Sequence, residues 1–124
     1  MYLLTPRQIL VIARPKLNGL GEHFGVSVDN RVVHYTADRG FEQVSIEEFA
    51  QGRDVRIDRL VSPGLHGEVV RRLRQIAANP RPYHAMDWNC ETFANWLSGT
   101  PSVSRQVVAA LGMAVLILGV VCSG

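Results

Sequence analysis

Thiol catalysis needs a cysteine and a histidine base, and the two cysteines and four histidines of this chain include Cys90, His23 and His34. Cys90 follows Asn89 in the stretch DWNCETF, where the pattern indicates the start of a helix. The positive end of a helix dipole favours a thiolate over a thiol, and so does a nearby imidazolium. An imidazole can take the thiol proton and later give it to a leaving group. Thiol chemistry is therefore possible if folding brings these residues together.

The register of one predicted hairpin decides whether the two histidines share a sheet face. The runs HFGVSV and RVVHYT read as strands, and Asp29 and Asn30 between them both tolerate the positive φ of a two-residue turn. Such a turn pairs Gly25 with His34 and leaves His23 diagonal to His34 on the same face. One histidine would then act as the base, and the second would fix the tautomer and orientation of the first.

Two other interpretations of these residues remain open at this level. A cysteine on the apolar face of a helix is also a good packing residue. A zinc site is conceivable from His23, His34 and Cys90, with His84 or Asp87 as a fourth ligand. No Cys-x-x-Cys or His-x-x-x-His pairing accompanies these residues, so we predict no metal.

Length and composition indicate one folded domain. The chain has 124 residues, of which 47% are hydrophobic and 19% charged, and this balance excludes a disordered chain. A net charge of +2 is too small to indicate a nucleic-acid partner. Two widely spaced cysteines do not form a disulfide framework, and we expect Cys90 in a reducing compartment.

The predicted strands precede the main helices, which indicates an α+β fold with an antiparallel sheet packed on helices. The helix at 45–52 carries a capping box of Ser45 and Glu48. The predicted elements are strands at 8–14, 23–28, 31–36 and 54–61, and helices at 45–52, 63–80 and 89–99.

The C-terminal segment 107–124 contains no charged residue. As a helix it would be roughly 27 Å long, against a hydrocarbon core of ~30 Å. We therefore predict a catalytic domain at 1–99, a linker at 100–106 and a single-pass membrane anchor at 107–124. Basic residues precede the anchor and none follows it, which places the domain on the cytoplasmic side. The arginines of helix 63–80 form either a solvated face or a contact with anionic lipid headgroups.

The stretches EHFGVSVDNRVVHYT and PYHAMDWNCETFANWL together resemble the lecithin:retinol acyltransferase family. In layout the chain is most similar to the small membrane-anchored phospholipase/acyltransferases of the H-Ras-like suppressor group. In this resemblance His23 matches the H-box histidine, His34 the second histidine and Cys90 the nucleophile. Thr92 departs from the pattern, because the family motif has a histidine there.

The resemblance implies a permuted papain-like thiol fold of the NlpC-type superfamily and an acyl-thioester formed on Cys90 from a glycerophospholipid. It implies no cofactor, and the expected partners are a phospholipid membrane and an acyl chain. The oxyanion of the reaction needs preorganised donors. The Cys90 amide is one candidate, and Tyr83 and Asn89 are weaker ones. A cysteine amidase or peptidase of the same fold and a catalytically silent membrane module remain as alternatives.

Overall fold

The structure, a computed structural model, describes residues 8–99. The predicted linker and the predicted anchor at 107–124 lie outside these residues. Within 8–99, no helix has the length and apolar character that a membrane span requires.

A five-stranded antiparallel sheet forms the centre of the described chain. Its strands run in the order β4-β3-β2-β1-β5, so the chain crosses from one sheet edge to the other between β4 and β5. This confirms the α+β class and the antiparallel sheet. The strands are β1 Ile9–Pro15, β2 Glu22–Val28, β3 Arg31–Thr36, β4 Gly40–Val44 and β5 Arg56–Leu60.

The β2–β3 hairpin has the predicted register. Asp29 and Asn30 have φ values of 51° and 68°, which is the positive-φ pair of a type I′ turn. Gly25 pairs with His34, and Val28 pairs with Arg31. The turn chemistry of two residues therefore determines which side chains share a face over the whole hairpin.

Three helices complete the described fold. Helix α1, Ile46–Ala50, begins at the predicted capping box, and Gln51 ends it in the left-handed conformation. Helix α2, His66–Ala78, lies within the predicted stretch 63–80, after a 3₁₀ turn at Pro63–Leu65. Helix α3, Cys90–Ser98, is capped by Asn89 and ends at Gly99, as predicted.

The sheet separates two apolar cores of unequal size. The larger core lies under α2 and α3, where Phe24, Val26 and Tyr35 pack with Phe93 and Leu97. The smaller core lies on the opposite sheet face and consists of Ile12, Val32 and Phe49 of α1, with further apolar residues around them. Burial on both faces explains why β1 is apolar along most of its length rather than alternating.

Strand β4 is the element that the sequence did not predict. Its sequence, GFEQV, is short and only partly buried, and it lies at the sheet edge. Its residues have no strong apolar alternation, which is the main sequence signal for a strand. The consequence is functional, because β4 places Glu42 directly opposite His34.

Candidate active site

The two predicted histidines form a buried hydrogen-bonded pair. The Nε2 atom of His23 lies 2.7 Å from the Nδ1 atom of His34, and both side chains are buried. The rings cross nearly edge to face, with centroids 4.9 Å apart. The diagonal contact inferred from the hairpin register is therefore confirmed.

Gly25 and Phe49 fix the position of this pair. A Cβ atom at Gly25 would lie 2.7 Å from Cε1 of Phe49 and 2.8 Å from Cγ1 of Val32, which is closer than packed atoms tolerate. The glycine thus lets the Phe49 ring approach the strand. Phe49 stacks on His23 with a centroid distance of 5.4 Å and meets His34 edge-on at 5.6 Å. Two imidazoles with one aromatic ring against them have little freedom to rotate.

Glu42 extends the pair at its other end. Its Oε1 atom lies 3.1 Å from Nε2 of His34, and its Oε2 atom lies 3.4 Å from Nε of Arg39. Glu42 is not among the residues predicted from the sequence, because the strand that carries it was not predicted. The position of the segment did offer a signal for β4, since a strand that follows directly after Thr36 pairs its residues with those of β3.

Burial keeps both histidines neutral near neutral pH. Desolvation lowers the pKa of His23 to about 2, with smaller contributions from His34, Arg14 and Lys16. Desolvation also lowers the pKa of His34, while the hydrogen bond and negative charge of Glu42 oppose that shift. A neutral imidazole is the protonation state that a general base requires.

One ring nitrogen of the pair remains open. Within the described chain, Nδ1 of His23 is a buried atom without a hydrogen-bond partner. Buried polar atoms are normally satisfied, so an orphaned imidazole nitrogen calls for an explanation. It is the atom that would receive a proton from a nucleophile placed next to His23.

Cys90 lies at the first position of α3 and is completely buried. Its sulfur lies 4.0 Å from the carbonyl oxygen of Glu22, the residue directly before His23. The structure contains Cys90 in its disulfide-bonded form, whereas the sequence led us to expect a thiol. The nucleophile considered below is the reduced side chain.

Helix α3 and the His23–His34 pair lie on opposite faces of β2. Phe24 and Val26 face α3 in the larger core, whereas His23 and Gly25 face Phe49. Cys90 therefore meets the histidine-bearing strand at its beginning, at Glu22, rather than above the middle of the sheet face. The structure brings the histidines into direct contact and brings Cys90 to the end of the same strand.

A capping box with a threonine holds the start of α3. The side-chain oxygen of Asn89 accepts hydrogen bonds from the amides of Glu91 and Thr92, each at 3.0 Å. The hydroxyl oxygen of Thr92 accepts the Asn89 amide at 2.7 Å. Asn89 also donates its side-chain amide to the Ala85 carbonyl at 2.8 Å. Asn89 is thus a cap, and the Cys90 amide is not one of the amides that its side chain binds.

Two other candidate residues, Tyr83 and His84, precede Cys90 in the chain. His84 forms an isolated bridge with Trp88, and its Nδ1 accepts the amides of Met86 and Asp87 at 3.2 and 3.1 Å. Tyr83 packs against the larger core. Residues 8–99 contain no group of three or more His, Cys, Asp or Glu side chains arranged to hold a metal ion.

A buried charged pair accompanies the site. Lys16 and Glu91 are each about 1% exposed, and Glu91 follows Cys90 in the first turn of α3. Desolvation lowers the pKa of Lys16 to about 8, while the negative charge of Glu91 opposes the shift. The positive charge of Lys16, the residue directly after β1, contributes to the low pKa of His23.

Comparison with known proteins agrees with the resemblance seen in the sequence. The family model described as lecithin retinol acyltransferase matches residues 4–102. The match includes every described residue of the site. Comparisons with curated proteins and with solved structures gave no match.

Proposed function

Because this chain belongs to the lecithin retinol acyltransferase family, we propose that it is a membrane-anchored phospholipid hydrolase and acyltransferase that works through an acyl-thioester on Cys90. The family is generally of acyltransferase and phospholipase type. The observation that carries the proposal is the buried His23–His34 pair, whose Nδ1 atom on His23 has no partner among the described residues. Such a pair is useful for proton transfer and costly as a packing element.

In the first half of the reaction, Nδ1 of His23 takes the proton from the reduced Cys90 side chain. The sulfur then attacks the acyl carbonyl carbon of a glycerophospholipid and forms a tetrahedral oxyanion. Collapse of this species breaks the ester bond, and the glycerol oxygen leaves with the proton held by His23. The products are a lysophospholipid and an acyl-thioester on Cys90.

In the second half, His23 takes a proton from water, an amine or an alcohol. The deprotonated acceptor attacks the thioester carbon, and the sulfur leaves as a thiolate that regains its proton from His23. The dipole of α3 favours that thiolate, because Cys90 is the first residue of the helix. The backbone amide of Cys90 is the proposed donor to the oxyanion, and Tyr83 is a weaker candidate.

Exposed apolar side chains near the proposed site support a lipid substrate. Leu17 and Leu20 lie in the loop between β1 and β2, which leads into His23, and Met86 lies in the turn that leads to Cys90. Their exposed fractions are 43%, 59% and 49%. Apolar loop residues of this kind can enter the interfacial layer of a membrane.

We also propose that the uncharged segment 107–124 anchors the domain at a membrane, with the catalytic part on the cytoplasmic side.

The arginines of α2 contribute less to the binding of anionic lipid headgroups than the same number of unpaired arginines would. Arg71 and Arg72 both pair with Glu68, at 2.5 and 2.9 Å, and Arg72 also lies over the Trp96 ring.

The proposal is tested by incubating the reduced full-length chain with phosphatidylcholine vesicles and measuring lysophospholipid release. We expect Cys90→Ala to lower turnover by about 10³-fold or more, because no other group replaces the sulfur. His34→Gln should cost less activity than His23→Ala, since His34 orients the base and does not accept the proton.

Lipid turnover that survives Cys90→Ala would contradict the mechanism. Equal and complete loss in His23→Ala and His34→Gln would indicate a different base. Cleavage of an amide substrate with no lipid turnover would favour the amidase alternative, and inactivity on both would favour a membrane module without catalysis.

A further inference from the structure

Glu42 lies at the outer end of the histidine pair, in a position that determines where the protons of the pair reside. It is paired with His34 across the β3–β4 ladder, so backbone hydrogen bonding and not a flexible loop sets its distance. Its side chain is 22% exposed, and its two carboxylate oxygens face His34 and Arg39 at 3.1 and 3.4 Å.

We propose that Glu42 is a positioning residue that makes Nδ1 of His23 the basic atom of the site. This inference rests on the proposed function, but the arrangement of protons that it specifies can be measured without any substrate. A carboxylate only accepts hydrogen bonds, so Nε2 of His34 must carry a proton and donate it to Glu42.

The tautomer of His23 follows from that of His34. A neutral imidazole carries one N–H, so a proton on Nε2 of His34 leaves its Nδ1 as an acceptor. The 2.7 Å contact then requires Nε2 of His23 to donate. His23 is also neutral, so its Nδ1 holds a lone pair and no proton. This is the buried atom without a partner among the described residues.

The opposite arrangement would disable the base. If Nε2 of His34 lacked a proton, its Nδ1 would donate to Nε2 of His23, and Nδ1 of His23 would be protonated. That nitrogen could not accept a proton from Cys90. Glu42 thus acts on the reaction through two rings, and its negative charge also stabilises the positive charge that the pair gains during proton transfer.

A cavity beside Glu42 offers a matched control. The cavity has a volume of about 390 Å³, and Arg14, His34, Asp38, Arg39 and Glu42 are among the residues that line it. Asp38 is an exposed carboxylate on this cavity, and it precedes β4. Asp38→Asn removes one negative charge from the same cavity and leaves the His34 contact intact.

The first experiment is nitrogen-15 NMR of the histidine rings in the reduced full-length chain, without lipid. In the wild type we expect Nδ1 of His23 to have the shift of an unprotonated ring nitrogen and Nε2 that of an N–H. Glu42→Leu should shift both resonances toward the other tautomer, and Asp38→Asn should not. A protonated Nδ1 in the wild type, or tautomers unchanged in Glu42→Leu, would overturn the inference.

The second experiment measures kcat and KM for phosphatidylcholine hydrolysis. Glu42→Leu should lower kcat by about 10- to 100-fold with little change in KM, Glu42→Asp should recover part of the loss, and Asp38→Asn should resemble the wild type. Glu42→Gln keeps the shape if Glu42→Leu does not fold, and it should also lower kcat. If the kcat of Glu42→Leu equalled that of Asp38→Asn, this result would contradict the positioning role of Glu42. The predicted tautomers without any lipid turnover would refute the proposed function alone.

Discussion

A histidine that stays uncharged while it is buried makes the free energy of unfolding depend on pH. The pKa of His23 is about 2 in the folded chain, against an ordinary value of 6.5. Below pH 6.5 the unfolded chain therefore binds a proton that the folded chain does not bind. The contribution of His23 to the free energy of unfolding is fully present above pH 6.5, the pKa of this group in the unfolded chain. As the pH falls below that value, the contribution is lost by up to about 1.4 kcal/mol per pH unit.

This effect predicts the acid sensitivity of one variant. The free energy of unfolding of the wild type should fall between pH 7 and pH 5, and His23→Asn should show a shallower fall because this titration is lost. Denaturant unfolding at several pH values measures how steeply the free energy of unfolding depends on pH in each protein. A slope unchanged in His23→Asn would show that His23 is protonated in the folded chain.

At the residue scale the sequence predicted His23 and His34 but not Glu42. The histidines were accessible because turn residues with positive φ fix the register of a hairpin, and the register fixes which residues share a face. Glu42 was inaccessible because β4 has no clear apolar alternation and depends on pairing with β3 for its structure. Tertiary pairing of this kind leaves no local signal.

At the element scale, the start of α3 explains the residue that departs from the family motif. Thr92 occupies the third helical position, where its hydroxyl closes the capping box with the Asn89 backbone. Asn89 and Thr92 are both buried, so water could not bind the Asn89 amide if the Thr92 hydroxyl were removed. Asn89 was recognisable as a cap from the sequence, but the role of Thr92 was not, because capping boxes usually have Glu or Gln at this position.

Removing the Thr92 hydroxyl should therefore destabilise the domain. We expect Thr92→Val, which keeps the shape of the side chain, to cost about 1–2 kcal/mol of unfolding free energy. Thr92→Ser keeps the hydroxyl and should cost less. Denaturant unfolding of the two variants measures the difference. Equal stability of the valine and serine variants would mean that the hydroxyl does not hold the helix start.

At the scale of the whole molecule, the sheet has the histidine pair on one face and α3 on the other. The apolar face of α3 consists of Cys90, Phe93, Ala94 and Leu97, and all four residues are buried. Periodicity does not tell which sheet face a helix covers, because that choice depends on the path of the chain between distant elements. The proposed reaction therefore takes place at the beginning of β2, where the two sides meet at Glu22.

The intact mass of the reduced full-length chain after brief exposure to phosphatidylcholine vesicles shows whether Cys90 carries an acyl group. We expect a mass increase equal to one acyl chain, located on Cys90 by peptide mapping and released by hydroxylamine because it is a thioester. Cys90→Ser should carry no hydroxylamine-sensitive adduct. Phospholipid hydrolysis without any adduct on Cys90, under conditions that slow the second half of the reaction, would contradict the proposed acyl-thioester mechanism.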